Sequence, residues 1–336
     1  MKSNSLFSLA AVLLIGVEAA SGNPTPENPG TAASPVDSSA GRQSRDDAWW
    51  TGPLLAASPG TLPPGHFLIE PYLFDALPQG HYDNDGTRHA GPHANNFGSQ
   101  SYILYGLFDA VSVGLIPRFG FNEPQDGRSS SKVGVGDLTL QAQYGLTRFE
   151  EGSWIPTTAF VIQETLPTGK YDRLADHPAD GLGAGAYSTN LSLYSQYFFW
   201  MPNGRILRTR FDVSYSISGS ASVHDVSVYG TAEGFYGRAR PGNVALVNAA
   251  WEYSVTRNWV LALDVVYEHD ANTHLSGWIP APVELNSGPG HTWSLAPAIE
   301  YNFNSRVGVI AGAKLTIAGR NAAAVVIPVA AVNIVI

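Results

Sequence analysis

The amino-acid sequence predicts an all-β protein: a transmembrane, antiparallel up-and-down β-barrel of about twelve strands, of the outer-membrane type. Three observations lead there. The chain opens with an export segment, continues as a series of two-faced strands, and joins those strands by connections that alternate between long and short.

The export segment comes first. Met1-Lys2-Ser3-Asn4-Ser5 is short and singly basic, Leu6 to Val17 is apolar, and small residues follow at Ala19, Ala20, Ser21 and Gly22. That order is a secretory signal peptide, placed at 1–21. Its apolar run is shorter than the roughly 20 residues a spanning helix needs. Residues 22–65 form the next unit. Pro, Ser, Gly, Asn and charge dominate 23–48, with too little apolar surface to offset the entropy of ordering, so this part reads as a flexible periplasmic extension. Trp49-Trp50-Thr51-Gly52-Pro53-Leu54-Leu55 then sets an apolar patch in the polar tail, as a plug entering a barrel from below would.

The barrel occupies 66–336. Leu138, Leu140, Ala142, Tyr144 and Leu146 alternate with Asp137, Thr139, Gln141, Gln143 and Thr147, and Phe211-Val213-Tyr215-Ile217 alternate with Arg210, Asp212, Ser214 and Ser216. Strands with one apolar and one polar face have this period of two. Extended along the chain, it gives strands at 66–74, 99–108, 110–121, 137–147, 155–166, 187–200, 205–217, 244–255, 259–269, 291–303, 306–317 and 323–336. The last is rich in Val and Ile and carries Pro328, so it is a strand and not a spanning helix. Long connections (75–98, 122–136, 167–186, 218–243, 270–290) alternate with short ones (109, 148–154, 201–204, 256–258, 304–305) until the last hairpin, whose connection (318–322) is fairly short as well. Outer-membrane barrels place short turns in the periplasm and long loops outside. Phe108, Phe149, Trp154, Phe198, Phe199, Trp200, Tyr253, Trp259, Tyr301 and Phe303 lie near the short turns, where an interfacial aromatic girdle belongs.

In lipid every backbone N–H and C=O must be paired within the protein, which a closed sheet achieves without an edge. The polar face of each strand must then point to the lumen, and a mean hydropathy of −0.04 fits that half-polar design. The alternation nominates Arg118, Gln141, Gln143, Arg208, Arg210, Asp212, Glu252, Asp264, Glu268, Glu300 and Lys314 as lumen-lining. They form either a pathway of mixed charge or internal salt bridges that brace the wall.

Composition excludes several functions. With 19 Lys+Arg against 28 Asp+Glu the net charge is −9, the wrong balance for a nucleic-acid partner. The absence of cysteine removes thiolate catalysis, Cys-zinc sites and disulfides. Thr168-Gly169-Lys170 lacks the upstream glycine and the following helix of a phosphate loop; the expected role is a tight turn, with Pro167 fixing φ and Gly169 permitting a positive one. Asp83-Asn84-Asp85-Gly86 with His81, His89 and His93 reads as a solvated external loop, so neither a metal nor another cofactor is expected. A barrel hydrolase would need His, Ser or Asp groups meeting at the outer rim. His224-Asp225, Asp176-His177, His269-Asp270 and His291 supply such groups, but no G-x-S-x-G elbow is present.

Val135-Gly136-Asp137-Leu138 opening a strand that runs to Gln143-Tyr144, then Leu166-Pro167-Thr168-Gly169-Lys170-Tyr171 after the next strand, resembles the outer-membrane family labelled "meta-pathway of phenol degradation", of the FadL-like superfamily. Trp50-Thr51-Gly52-Pro53-Leu54 and Leu62-Pro63-Pro64-Gly65 resemble that group as well. The similarity spans about 50–336 and is sharpest over 133–171, with Gly136, Asp137, Pro167, Thr168 and Gly169 as the motif residues. The resemblance implies a β-barrel channel or transporter in the Gram-negative outer membrane, passing small hydrophobic or aromatic solutes and involving no catalysis. Its partners would be outer-membrane lipid, the solute and the barrel-assembly machinery. Many such barrels end in an aromatic residue read by that machinery. Here the chain ends Val332-Asn333-Ile334-Val335-Ile336, which keeps only the apolar alternation. The alternatives are a non-transporting barrel, acting as surface receptor or structural element, and the hydrolase.

Overall fold

The computed structural model describes residues 41–336, so the signal peptide and the first part of the extension lie outside the described residues. Twelve long strands form the wall. They are β1 (Phe67–Tyr82), β2 (Ala94–Phe108), β3 (Val111–Ile116, resuming as Arg118–Pro124), β4 (Leu138–Thr147), β5 (Thr157–Leu166), β6 (Ser188–Trp200), β7 (Ile206–Ser218), β8 (Val244–Ser254), β9 (Trp259–Asp270), β10 (Gly290–Asn302), β11 (Val307–Arg320) and β12 (Ala322–Val335). Each pairs antiparallel with the next, and β12 returns to β1 with Leu68 opposite Val335 and Tyr82 opposite Ala322. At the end of that seam the Phe67 N–H donates to the Ile336 carbonyl (2.9 Å) and the Ile336 N–H to that of Phe67 (2.8 Å). The ring is closed, and no long strand of the wall is left with an open edge.

The outer surface follows the predicted alternation. Phe160, Ile162, Leu193, Phe211, Leu261 and Ile299 are exposed on the wall, while their neighbours Val161, Tyr194, Asp212, Ala262 and Glu300 are buried inside. A surface of this kind is stable only against acyl chains. Rings gather at the short-turn end: Phe67 with Tyr105 and Trp259 with Tyr301, each at 4.7 Å between centroids, and Tyr301 with Phe303 at 5.0 Å. Phe149 and Phe198 depart from the expected girdle. Both are buried with Ala48 and Ile206 against Trp50, inside the mouth.

Three further departures have physical reasons. The connection 75–98 was expected to be a loop, but β1 continues to Tyr82 and β2 already begins at Ala94. Pro78 is absorbed by a register shift between Pro78 and Gly80, and Gly80 (φ 136°) lies so close to the neighbouring strand that a Cβ would fall 1.9 Å from the His89 carbonyl oxygen. The loops 218–243 and 270–290 contain a second antiparallel sheet of four short strands: Ala221–His224, Tyr236–Arg240, His274–Ile279 and Ala281–Asn286. Val223, Tyr229, Phe235 and Leu275 give it a small core of its own. Finally, the lumenal face is not polar throughout. On β12, β1 and β11 the inward residues include Ile327, Val329, Val335, Leu68, Tyr72 and Ile310, so this wall is apolar on its inner side as well.

Candidate functional site: the bore and its inner segment

Residues 41–65 are hydrogen-bonded to the wall at intervals along their length. They make an excursion into the bore and return to the mouth they entered by. At the short-turn mouth the Gln43 N–H donates to the Gly204 carbonyl (2.9 Å) and the Trp49 N–H to that of Arg257 (3.1 Å). Arginines stack on the rings there: Arg42 over Trp200 (3.8 Å), Arg45 over Phe198 (4.7 Å) and Arg257 over Trp49 (4.3 Å). The chain then climbs along β10 and β9, crosses to β7 and β4, and leaves beside β3. The Leu62 N–H donates to Ser112 Oγ (2.8 Å) and Thr61 Oγ1 to the Asp109 carbonyl (2.8 Å).

Main-chain amides meeting wall carboxylates hold the excursion in place. Thr51 N–H donates to Glu300 Oε2 (2.7 Å), with Gly52 at 3.3 Å. Leu54 N–H donates to Asp264 Oδ2 (3.0 Å), Leu55 and Ala56 to its Oδ1 (3.3 and 2.8 Å), and Ala57 to Asp212 Oδ2 (2.5 Å). Pro53, the residue of this run with no N–H, falls where no donor is used. Carbonyls are served from the wall: Arg210 Nη1 donates to that of Ala56 (2.8 Å), and Gln143 Nε2 to those of Ser58 (3.1 Å) and Gly60 (3.0 Å). On the other side Leu54, Leu55 and Leu62 pack against the apolar wall with Leu68, Tyr72 and Ile327. Charged wall and apolar wall thus each take the face of the segment that suits them.

Other residues nominated from the alternation sit as follows. Arg208 donates from Nε to Glu252 Oε2 (2.6 Å) and from Nη2 to Glu252 Oε1, while its guanidinium lies 4.5 Å over the Trp50 ring. Arg210 Nε lies 3.7 Å from the same carboxylate and donates to Gln196 Oε1 (3.1 Å). Gln141 Oε1 accepts from Gln163 Nε2 (2.7 Å). Glu268 and Lys314 are half-buried further toward the long loops, where both act electrostatically on Asp270. Arg118 lines a cavity beside the segment. Sequence reasoning missed Glu70, Asn248 and Asn302, all buried. Asn248 Nδ2 donates to Asp264 Oδ1 (3.1 Å), and Asn302 Nδ2 to the Trp49 carbonyl (3.2 Å). A stricter reading of the alternation along β8 and β10 would have found the last two.

The motif residues form a clamp on the long-loop side. Asp137 Oδ1 accepts the Gly169 N–H (2.9 Å) and Oδ2 the Ala184 N–H (2.7 Å), pinning both ends of the loop 167–186. Thr168 Oγ1 donates to the Gly136 carbonyl and accepts from the Leu138 N–H, both at 3.0 Å. Gly169 does not have the expected positive φ. It is glycine because a Cβ would lie 2.8 Å from Gly183 Cα and 3.0 Å from the Gly136 carbonyl carbon. Outside the membrane span, Asp180 fixes the same loop to Ser131, whose N–H donates to Oδ1 at 2.7 Å. Burial opposes its charge, but the Ser131 N–H and O–H outweigh that and hold the Asp180 carboxyl below the usual carboxylate range. Among the described residues no three metal-ligating side chains gather. His224 Nδ1 lies 3.2 Å from Asp172 Oδ2, whereas His291 stands against the Tyr267 ring on another element.

With the segment seated, the cavity beside it has a volume of about 60 Å³, lined by Leu55, Tyr102, Ile116, Arg118, Tyr194 and Asp212 among others. That holds a few waters, and is well short of the roughly 150 Å³ that accommodates benzene.

The family model described as "Putative MetA-pathway of phenol degradation" matches residues 78–324, most of the wall together with the Asp137 clamp. The chain belongs to this family. Among solved structures, an outer membrane channel from Pseudomonas putida F1 is similar with a TM-score of 0.61 and 17% identity, over 82% of this chain and 97% of that one. The toluene transporter TodX from Pseudomonas putida aligns at a TM-score of 0.42 with 13% identity, over 81% of this chain and 90% of that one. The NanC porin aligns at 0.42 with 8% identity, over 79% and 98%. The likeness at 0.61 shows the fold this family member shares, an outer-membrane barrel. A search of curated proteins returned no match.

Proposed function

We propose that the protein is a passive channel of the Gram-negative outer membrane for small hydrophobic or aromatic solutes, and that residues 41–65 are its plug. One observation carries the reading. The bore holds a length of main chain, residues 51–57, and the wall supplies acceptors for its amides. Twelve strands enclose an interior wider than wall side chains readily fill, so without the segment the bore would stand open. The family's description, with its reference to phenol degradation, supports an aromatic solute. The bore offers one apolar and one charged side, as an amphiphilic aromatic requires. No catalytic step is part of this reading: His224 is engaged by Asp172, and His291 sits apart from it. Deleting residues 23–60 tests the proposal. Single-channel conductance in planar bilayers rises if the segment is a plug. Unchanged conductance refutes the plug, and a barrel that stays closed favours the non-transporting alternative.

A further inference from the structure

The bore carries three arginines, and two of them are occupied. Arg208 and Arg210 share Glu252, and Arg210 also donates to the Ala56 carbonyl. Arg210 also keeps one buried nitrogen, Nη2, without a hydrogen-bond partner, but Arg118 differs in having no ion pair. It follows Pro117, the break between the two stretches of β3, and its Nε is buried without a hydrogen-bond partner. Among the described residues no carboxylate comes within ion-pair distance of it. Asp137 acts on it electrostatically, but both oxygens of that carboxylate are already taken by the Gly169 and Ala184 amides. A buried guanidinium N–H left in this state is costly, and a carboxylate offering two parallel acceptors satisfies a guanidinium best.

The surroundings define the rest of the ligand. Arg118 opens onto the cavity whose other walls include Leu55, Ile116, Tyr102 and Tyr194. Tyr102 is held rigid by a T-shaped contact with Tyr72 (6.1 Å) and accepts at its hydroxyl from Gln100 Nε2 (2.5 Å). Across the cavity stands Asp212, whose Oδ1 has no hydrogen-bond partner. A flat ring fits among the aromatic and aliphatic side chains with its anionic end at Arg118, while a second anionic group on the ring would meet Asp212. Leu55 belongs to the plug, so moving the plug enlarges this cavity toward the size of a ring.

We propose that the Arg118 cavity is a selectivity site for small aromatic monocarboxylates, so that the channel prefers such anions to neutral aromatics of the same size. The inference rests on the channel reading and sharpens its substrate class. The test uses the full chain in proteoliposomes and compares the fluxes of benzoate and benzyl alcohol, which differ in charge far more than in size. Wild type passes benzoate faster. In Arg118→Gln the benzoate-to-benzyl-alcohol flux ratio falls about tenfold, the size expected for losing one charge-assisted hydrogen bond. Arg118→Lys, which keeps the charge, recovers most of the ratio. Heat-modifiable migration of each variant shows that the barrel has closed. A ratio the same in Arg118→Gln as in wild type, or a wild type favouring benzyl alcohol, overturns the site while leaving the channel standing. If neither solute crosses in wild type, the channel reading fails and the site fails with it.

Discussion

Asp264 is the residue on which seating of the inner segment most depends, and Asp264→Asn is the sharpest perturbation of it. Four donors converge on its two oxygens: the Leu54, Leu55 and Ala56 amides and the Asn248 side chain, at 2.8–3.3 Å. A hydrogen bond to a charged group contributes about 1.5–3 kcal/mol and a neutral one about 0.5–1.5 kcal/mol, so removing the charge costs on the order of 1 kcal/mol per bond. The amide also turns one acceptor into a donor facing an N–H. Against this, seating the segment no longer has to dehydrate a carboxylate, a penalty of several kcal/mol that convergent donors largely offset in the native site. A net loss of about 2 kcal/mol follows, which raises the unseated population roughly 30-fold. Single-channel recording of the full chain reads this as a matching rise in open probability. An open probability equal to or below that of wild type would refute the reasoning, because dehydration of the carboxylate would then outweigh the four bonds.

Two other outcomes are expected on the long-loop side. Asp137→Ala frees the Gly169 and Ala184 amides and should make the loop 167–186 the first site of limited proteolysis in the reconstituted protein, with the wall intact; unchanged protection would mean the clamp is redundant. Asp180 has a depressed folded-state pKa, so its contribution to the loop is fully present above the ordinary carboxylate value and is lost as pH falls through the depressed one. The hydrogen-exchange protection factors of the amides near Ser131, taken against the intrinsic rate at each pH, should therefore fall only on strong acidification, and a fall already between pH 7 and 5 would contradict that sign.

The wall was legible because lipid outside and a wet bore inside impose a period of two on the strands. The bulge at Gly80 was hidden, since Leu77-Pro78-Gln79-Gly80 breaks the alternation while the strand continues past it. The four-stranded external sheet was hidden for another reason. Its strands are four to six residues long and pair across different loops, as Tyr236 does with Trp278, too short a span for periodicity to register. Glu70 escaped notice because its inward neighbours Leu68 and Tyr72 are apolar, and the inner face of β1 reads as an outer one. The apolar patch from Trp49 to Leu55 pointed to entry into the bore, but the anchoring of residues 51–57 had no sequence signal, since the groups recognised there are peptide amides, which nearly every residue has. The motif around Asp137 and Gly169 was visible, but its use as a loop clamp depends on Gly183 and Ala184, which only folding brings near.

The path of residues 41–65 has a mechanical consequence. Both ends of the excursion are tethered on the same rim, at Gly204 and Arg257 on the way in and at Ser112 and Asp109 on the way out. Retracting it therefore requires no free end to be pulled through the ring, and the β1–β12 seam need not part. On the plug reading, the segment would fold back toward the periplasm like a drawbridge and rise again, with the cylinder itself unchanged throughout.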